Sequence, residues 1–385
     1  MQPFEIHIPD PVLDDLHERL GNTRWPPEIA NDDWRYGTNL AELKSLCSYW
    51  QNEFDWRAQE AAMNALPNYK TDIDGVPVHF IHVRGKGPKP MPLILSHGWP
   101  WTFWDLHKVI GPLTDPASFG GDAADAFDVV VPSLPGFGFS SPLTKPGINA
   151  WETADLWHTL MHDVLGYERY AAQGGDWGAI LSAHMGHKYA EHLHGIHLTL
   201  TLPLGFPERP FPEREAYAPD EAHWFDRTQT FFAEGSAYSA IQGTRPQTLA
   251  YGMHDSPAAL CAWILEKRRA WSDCGGDVSR CFSQDDLCTT MTLYWVTETF
   301  CTSARYYYEF YAAPWPAVHN NHPVVSAPTS IAVFPGELFM VPKKWAENHY
   351  NLKRWTVMDS GGHFAPMEAP DALVEDVRAA FREAR

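Results

Sequence analysis

The chain has 385 residues and a formal net charge of −19, with 44% hydrophobic and 20% charged residues. That length allows two or three domains, or one large core carrying insertions, and the composition is that of an ordinary globular protein. The acidic balance excludes nucleic acid and anionic membrane surfaces as partners, and no run of 18 apolar residues predicts a membrane anchor.

The opening stretch "PDPVLDDLHERLGNTRW" reads as a helix capped by Asp10, with Pro11 at its first position and Leu13, Leu16 and Leu20 along one face. No basic region followed by an apolar stretch precedes it, so no signal peptide is expected and a cytoplasmic location follows. A second helix is expected at 40–54. "VPVHFIHVRGKG" (76–87) alternates Val76, Val78 and Phe80, which predicts a strand ending in a turn. Together, 1–90 form an N-terminal segment.

From 91 to 203 the rhythm changes. Short apolar runs such as "PLILSHGW", "AFDVVVPSLPGFGFS" and "YERYAAQGG" alternate with helices expected at 150–166 and 177–193. Such alternation predicts an α/β fold with a mostly parallel sheet covered on both faces. Residues 204–322 are rich in Pro, Trp and Tyr and mainly helical, so they read as a cap inserted between two strands. Residues 323–385 return to strand-then-loop form at 329–337 and 353–363.

Of six cysteines, five lie between Cys261 and Cys301 without a C-x-x-C pair, and buried free thiols are expected. His192, His194 and His197 in "EHLHGIHL" suggest a metal, but no carboxylate or cysteine completes a set. No metal or other cofactor is expected. The seventeen tryptophans suit pocket lining and packing equally well.

Four polar signals stand at expected strand ends, where ligands bind in parallel sheets: His97-Gly98-Trp99-Pro100, Asp176, Glu337 and His363. Their order is nucleophile, acid, histidine. Asp176 sits in "GGDWG", where the G-x-nucleophile-x-G elbow of many hydrolases has serine. A helix N-cap would explain an aspartate there, but the small residues around it suit a strained elbow. A carboxylate needs no activating base and attacks saturated carbon bearing a leaving group, giving an alkyl ester. His363 in "SGGHFAPMEAP" is the candidate base for the water that hydrolyses this ester. Glu337 in "FPGELFMVP" would hold its tautomer, with Asp359 in reserve. The N–H groups of Trp99 and Trp177 would form the oxyanion hole.

These motifs, with "RW" at 24–25, "LTDP" at 113–116 and "PGFGFS" at 135–140, resemble an epoxide hydrolase of the α/β-hydrolase fold, in its microsomal-type branch with an N-terminal extension packed on the core. The resemblance spans nearly the whole chain. It implies hydrolysis of an organic epoxide to a vicinal diol, with Asp176 as nucleophile, Glu337 as acid and His363 as base. It also implies two cap tyrosines aimed at the epoxide oxygen, matched by Tyr238 and by Tyr307, with Tyr306 and Tyr308 as neighbours of the second. His97, Pro100 and Trp101 are expected in the substrate pocket, with Trp101 and Trp104 narrowing one wall.

Membrane-bound members of the branch have an N-terminal anchor, whereas this sequence begins at the first domain helix, so a soluble form is expected. The partners are then a small epoxide, apolar given the large cap, and water. A homodimer remains open, as does the choice between detoxification and secondary metabolism. The alternatives are a haloalkane-type dehalogenase, which shares the Asp nucleophile, and a non-catalytic ligand-binding member of the fold.

Overall fold

The computed structural model describes residues 1–385. The apolar runs of the middle and C-terminal parts become parallel strands, buried except for the edge strand β9: β4 (Met91–Ser96), β5 (Phe127–Pro132), β6 (Tyr170–Gly174), β7 (Leu193–Leu198), β8 (Val325–Val333) and β9 (Tyr350–Val357). Three antiparallel strands from the N-terminal segment extend one edge: β1 (Gln2–Pro3), β2 (Asn68–Ile73) and β3 (Val76–Val83). The nine strands run in the order β1-β2-β3-β5-β4-β6-β7-β8-β9. This is the α/β-hydrolase arrangement, a mostly parallel sheet with helices on both faces.

The N-terminal segment has helices α1 (Asp10–Gly21), α2 (Leu40–Asn52) and α3 (Trp56–Asn64). The sheet is flanked by α4 (His107–Thr114), α5 (Ala150–Thr159) and α6 (Trp177–Lys188). Between β7 and β8 lie α7 (Ala222–Thr230), α8 (Ala237–Thr244), α9 (Pro246–Asp255), α10 (Pro257–Trp271), α11 (Gln284–Val296) and α12 (Phe300–Ala312). The chain ends with α13 (Lys343–His349), α14 (Ala365–Glu368) and α15 (Pro370–Phe381).

Several boundaries differ from the sequence reading. Asp10 does not cap α1; Pro9 occupies that position, and Asp10 sits in the first turn, paired with Arg57. The helix expected to reach 166 leaves α geometry after Thr159 and ends in a wide π turn at 160–164. α6 stops at Lys188, and a short 3-10 turn leads into β7. The segment 1–90 joins the core directly. Its β2–β3 hairpin continues the main sheet, with Phe80 opposite Pro132 on β5, because β3 exposes the edge that β5 needs.

Helices α1 and α2 leave the sheet and pack against α10 and α11. Trp50, fully buried, donates its indole N–H to Thr292 Oγ1 at 2.8 Å, and Thr38 Oγ1 donates to the Ala262 carbonyl at 2.7 Å. Leu16, Leu20 and Trp50 bury apolar surface there, each contributing about 1.5–3 kcal/mol of transfer free energy. The N-terminal segment therefore braces α10 and α11.

Candidate active site

β6 delivers the chain into Gly174-Gly175-Asp176-Trp177-Gly178, and α6 begins at Trp177. Asp176 has φ 50° and ψ −127°, a left-handed conformation that costs a non-glycine residue about 1–3 kcal/mol. Close packing holds it. A Cβ on Gly178 would lie 2.0 Å from the Ser96 carbonyl oxygen, so only glycine lets α6 approach β4 this closely. Asp176 occupies the N-cap position of α6, yet its side chain makes no capping bond. Instead Oδ1 accepts the Trp99 N–H at 2.7 Å. Trp177 provides the first amide of α6, one of those left without an intrahelical acceptor.

His363 follows β9 and is fully buried. Its Nδ1 lies 2.6 Å from Glu337 Oε1, and its Nε2 lies 3.4 Å from Asp176 Oδ2. Nδ1 accordingly holds the proton shared with Glu337, which leaves Nε2 facing the nucleophile. Glu337 Oε1 also accepts the Leu338 N–H at 2.7 Å. Arg227, from α7, holds the carbonyls of Gly336 and Glu337. Asp359 is exposed and does not meet His363. Burial opposes charge on His363, but the Glu337 and Asp176 carboxylates outweigh it and raise its pKa to about 10. The free site therefore holds an imidazolium between two carboxylates.

Tyr238 on α8 and Tyr307 on α12 share one cavity with Asp176. The Tyr238 ring stacks on Trp99 at 5.1 Å, and the Tyr307 ring meets Trp177 edge-on at 4.7 Å. Burial first, and then the nearby Asp176 charge, pushes the Tyr238 phenol well above its ordinary pKa. Tyr307 moves the same way through burial, Tyr238 and Asp176. Both are proton donors at neutral pH. Tyr306 instead donates to Thr153 Oγ1 at 2.8 Å, and Tyr308 is 44% exposed.

The cavity measures about 290 Å³, and Phe231, Phe232, Leu202, Phe310, Leu338 and Phe339 give it an apolar wall. His97, Pro100 and Trp101 do not line it. The His97 ring accepts the Leu134 N–H at 3.0 Å and is fully buried, which lowers its pKa to about 4. Pro100 turns its carbonyl to Arg268 at 3.0 Å. Trp101 packs behind His363, with ring centroids 5.5 Å apart. Trp104 stacks on His107 away from the site, so neither tryptophan narrows the wall. Beyond Trp99 the motif works through its backbone, and its side chains serve the core.

Other residues at the site escaped the sequence reading. Tyr311 follows Tyr307 by one helical turn in "YYYEFYA", lines the cavity and bonds Ser239 at 2.9 Å; the spacing of four was its signal. Phe231 and Phe232 had no comparable signal, because their direction depends on how α7 ends. The three histidines of "EHLHGIHL" separate. His197 meets Asp376 at 3.0 Å, His194 is half-buried, and His192 packs against His158 and His162.

Comparison with known proteins identifies the family. Residues 1–106 match the family described as "Epoxide hydrolase N terminus", and residues 91–370 match the "alpha/beta hydrolase fold" family. The chain is 43% identical to a putative epoxide hydrolase of Stigmatella aurantiaca, over 100% of this chain and 85% of that protein. It is 36% identical to Epoxide hydrolase 1 of Oryctolagus cuniculus, over 98% and 88%. Among solved structures, Aspergillus niger epoxide hydrolase superposes with a TM-score of 0.87 at 29% identity, covering 100% of this chain and 96% of that one. Juvenile hormone epoxide hydrolase of Bombyx mori gives 0.88 at 30% identity, covering 100% and 94%.

Proposed function

The chain belongs to the epoxide hydrolase family and hydrolyses epoxides, and from that premise we propose that it does so through an ester on Asp176. The observation that carries this reading is the division of labour within one carboxylate. Oδ1 is held by the Trp99 N–H at 2.7 Å, while Oδ2 lies 3.4 Å from His363. Oδ2 attacks an epoxide carbon and the ring C–O bond breaks. The alkoxide takes a proton from Tyr238 or Tyr307, which leaves a hydroxyalkyl ester and a tyrosinate. Asp176 has now lost the charge that opposed ionising those phenols and that held His363 protonated.

The second half-reaction follows from that change. With one carboxylate partner gone, the His363 imidazolium passes its Nε2 proton by way of solvent to the tyrosinate, and the neutral Nε2 then accepts one from water. The hydroxide attacks Cγ of the ester, and charge developing on Oδ1 falls on the Trp99 N–H and the free amide of Trp177. Collapse breaks the Cγ–Oδ2 bond, and the departing alkoxide takes the proton of the new carboxylic acid, so the diol leaves with Asp176 ionised, the phenol neutral and His363 protonated as at the start. Glu337, hydrogen-bonded to Nδ1, steadies the imidazolium.

At about 290 Å³ the cavity is at the small end of the roughly 300–1,000 Å³ common for small-molecule sites, which supports a compact apolar epoxide as substrate. Six unpaired cysteines suit a reducing compartment such as the cytoplasm.

One observation favours a second substrate class. The indole N–H of Trp177 is buried beside Asp176 without an acceptor, and such a group can hold a leaving halide. A single experiment addresses both readings. His363→Gln is incubated with an aryl epoxide or a bromoalkane, and the intact protein is weighed and mapped. An adduct of full epoxide mass on Asp176 is expected. An adduct from the bromoalkane alone, lighter by HBr, would make dehalogenation the reaction. No adduct from either would remove Asp176 as nucleophile.

A further inference from the structure

Glu368 closes α14, five residues after His363, and the chemistry above does not use it. Its carboxylate ties the His363 loop to the loop after α10. Oε1 accepts the Phe364 N–H at 2.8 Å, and Oε2 accepts the Asp273 N–H at 2.7 Å. The first bond alone would be an ordinary cap on α14. The second is not a cap, because Asp273 belongs to the loop that follows α10, over the core. Asp273 returns the contact, its Oδ2 accepting the Gly361 N–H at 3.0 Å, and the Trp271 carbonyl accepts the His363 N–H at 3.0 Å. A Cβ on Gly362 would lie 2.9 Å from both the Asp273 nitrogen and the Trp271 oxygen, so glycine is needed for the two loops to touch.

We propose that Glu368 is a positioning residue for the water-activating base. It straps the His363 loop to the loop after α10, so that Nε2 keeps its direction once the ester on Asp176 has formed. The charged and titratable groups facing it are Asp273 and Cys281 from the loops after α10, His363 on its own loop and Glu337 from the loop after β8. Arg268 reaches the same place from α10, lying 4.2 Å from the Phe364 ring. Burial pushes the Glu368 carboxyl up to about 7, against the pull of the two amides and of His363.

The strap acts on one half-reaction only, and kinetics can separate the two. Slowing ester discharge lowers kcat and KM by the same factor and leaves kcat/KM unchanged, whereas general loosening of the site lowers kcat/KM. Glu368→Gln keeps the size but turns an N–H₂ toward one amide. Glu368→Asp keeps the charge but is one methylene too short to reach both. Each is expected to lower kcat and KM together by about tenfold or more, since a misplacement on the order of 1 Å suffices for that. The Asp176 ester should then build up in single-turnover mass spectra.

The role rests on the ester mechanism proposed above, and the outcomes keep the two apart. An ester trapped in His363→Gln, alongside wild-type constants or a fall in kcat/KM without ester build-up in both Glu368 variants, overturns the positioning role alone. No ester on Asp176 in any of the proteins overturns the mechanism and this role with it.

Discussion

A methyl group on Gly98 would sit 2.2 Å from Asp176 Oδ1, inside the space the nucleophile occupies. Gly98→Ala should therefore push the carboxylate off the Trp99 N–H and slow discharge of the ester by about 10²–10³-fold, the usual loss for one oxyanion donor. Single-turnover rates with a fluorescent epoxide would measure this, and circular dichroism would show the fold retained. The tyrosines make a second test. Tyr238→Phe/Tyr307→Phe should slow epoxide opening by about 10²–10⁴-fold, each single change less because the partner phenol still donates. Ester discharge should keep its rate, so a double variant slowed equally in both steps would remove the phenols from the proposed role. At this scale the motifs were readable because close approach forces glycine at fixed spacings around Asp176, Trp99 and His363. Side-chain direction was not readable, which is why His97, Pro100 and Trp101 lie outside the cavity.

Among the elements, α10 is tied to the core by charge as well as by packing. Arg268 is almost fully buried, pairs with Asp105 at 2.6 Å and donates to the Pro100 carbonyl at 3.0 Å, one residue past the oxyanion donor. Tyr294 on α11 adds a bond to the Trp101 carbonyl at 2.8 Å. Arg268→Met would leave Asp105 charged and buried without its partner, at a cost of about 3–5 kcal/mol. Arg268→Met/Asp105→Leu should regain most of that, because an apolar pair replaces the ion pair. Urea denaturation of the two variants tests this, and equal stabilities would show that the pair is not coupled. Nothing in "LEKRRAW" marks Arg268 as the buried member of its basic run, since burial is decided by the partner that α10 meets. Apolar strands and helix phases were visible from local pattern. The way in which α7, α8 and α12 converge on a cavity was not, because those contacts lie far apart in sequence.

Across the whole molecule, buried histidines set the response to acid. Burial lowers the pKa of His79 to about 3, of His97 to about 4 and of His184 to about 3. Each folded pKa lies below the unfolded value near 6.5, so the unfolded chain binds the extra protons. The stability they permit is complete above 6.5 and is lost as pH falls toward 4 and 3, at about 2 kcal/mol each near pH 5. His363, raised to about 10, works in the other direction: its contribution is complete below 6.5 and is lost as pH rises through 10. Scanning calorimetry should therefore find the highest Tm near neutrality, and a flat Tm between about pH 4.5 and 6.5 would contradict this account.

The brace that α1 and α2 form under α10 and α11 has a bearing on traffic. With Trp50, Thr38 and Arg268 all fastening α10 and α11, the wall behind Tyr238 and His363, which Trp271 backs, is bolted down rather than hinged. Selection among substrates then falls to the cavity's own lining, where Tyr311, 44% exposed, and Ser239 bridge α12 and α8. Such a lining sorts by cross-section rather than by volume. Slender epoxides should outpace branched isomers of equal mass in kcat/KM, and Tyr311→Ala should narrow that gap by widening the frame.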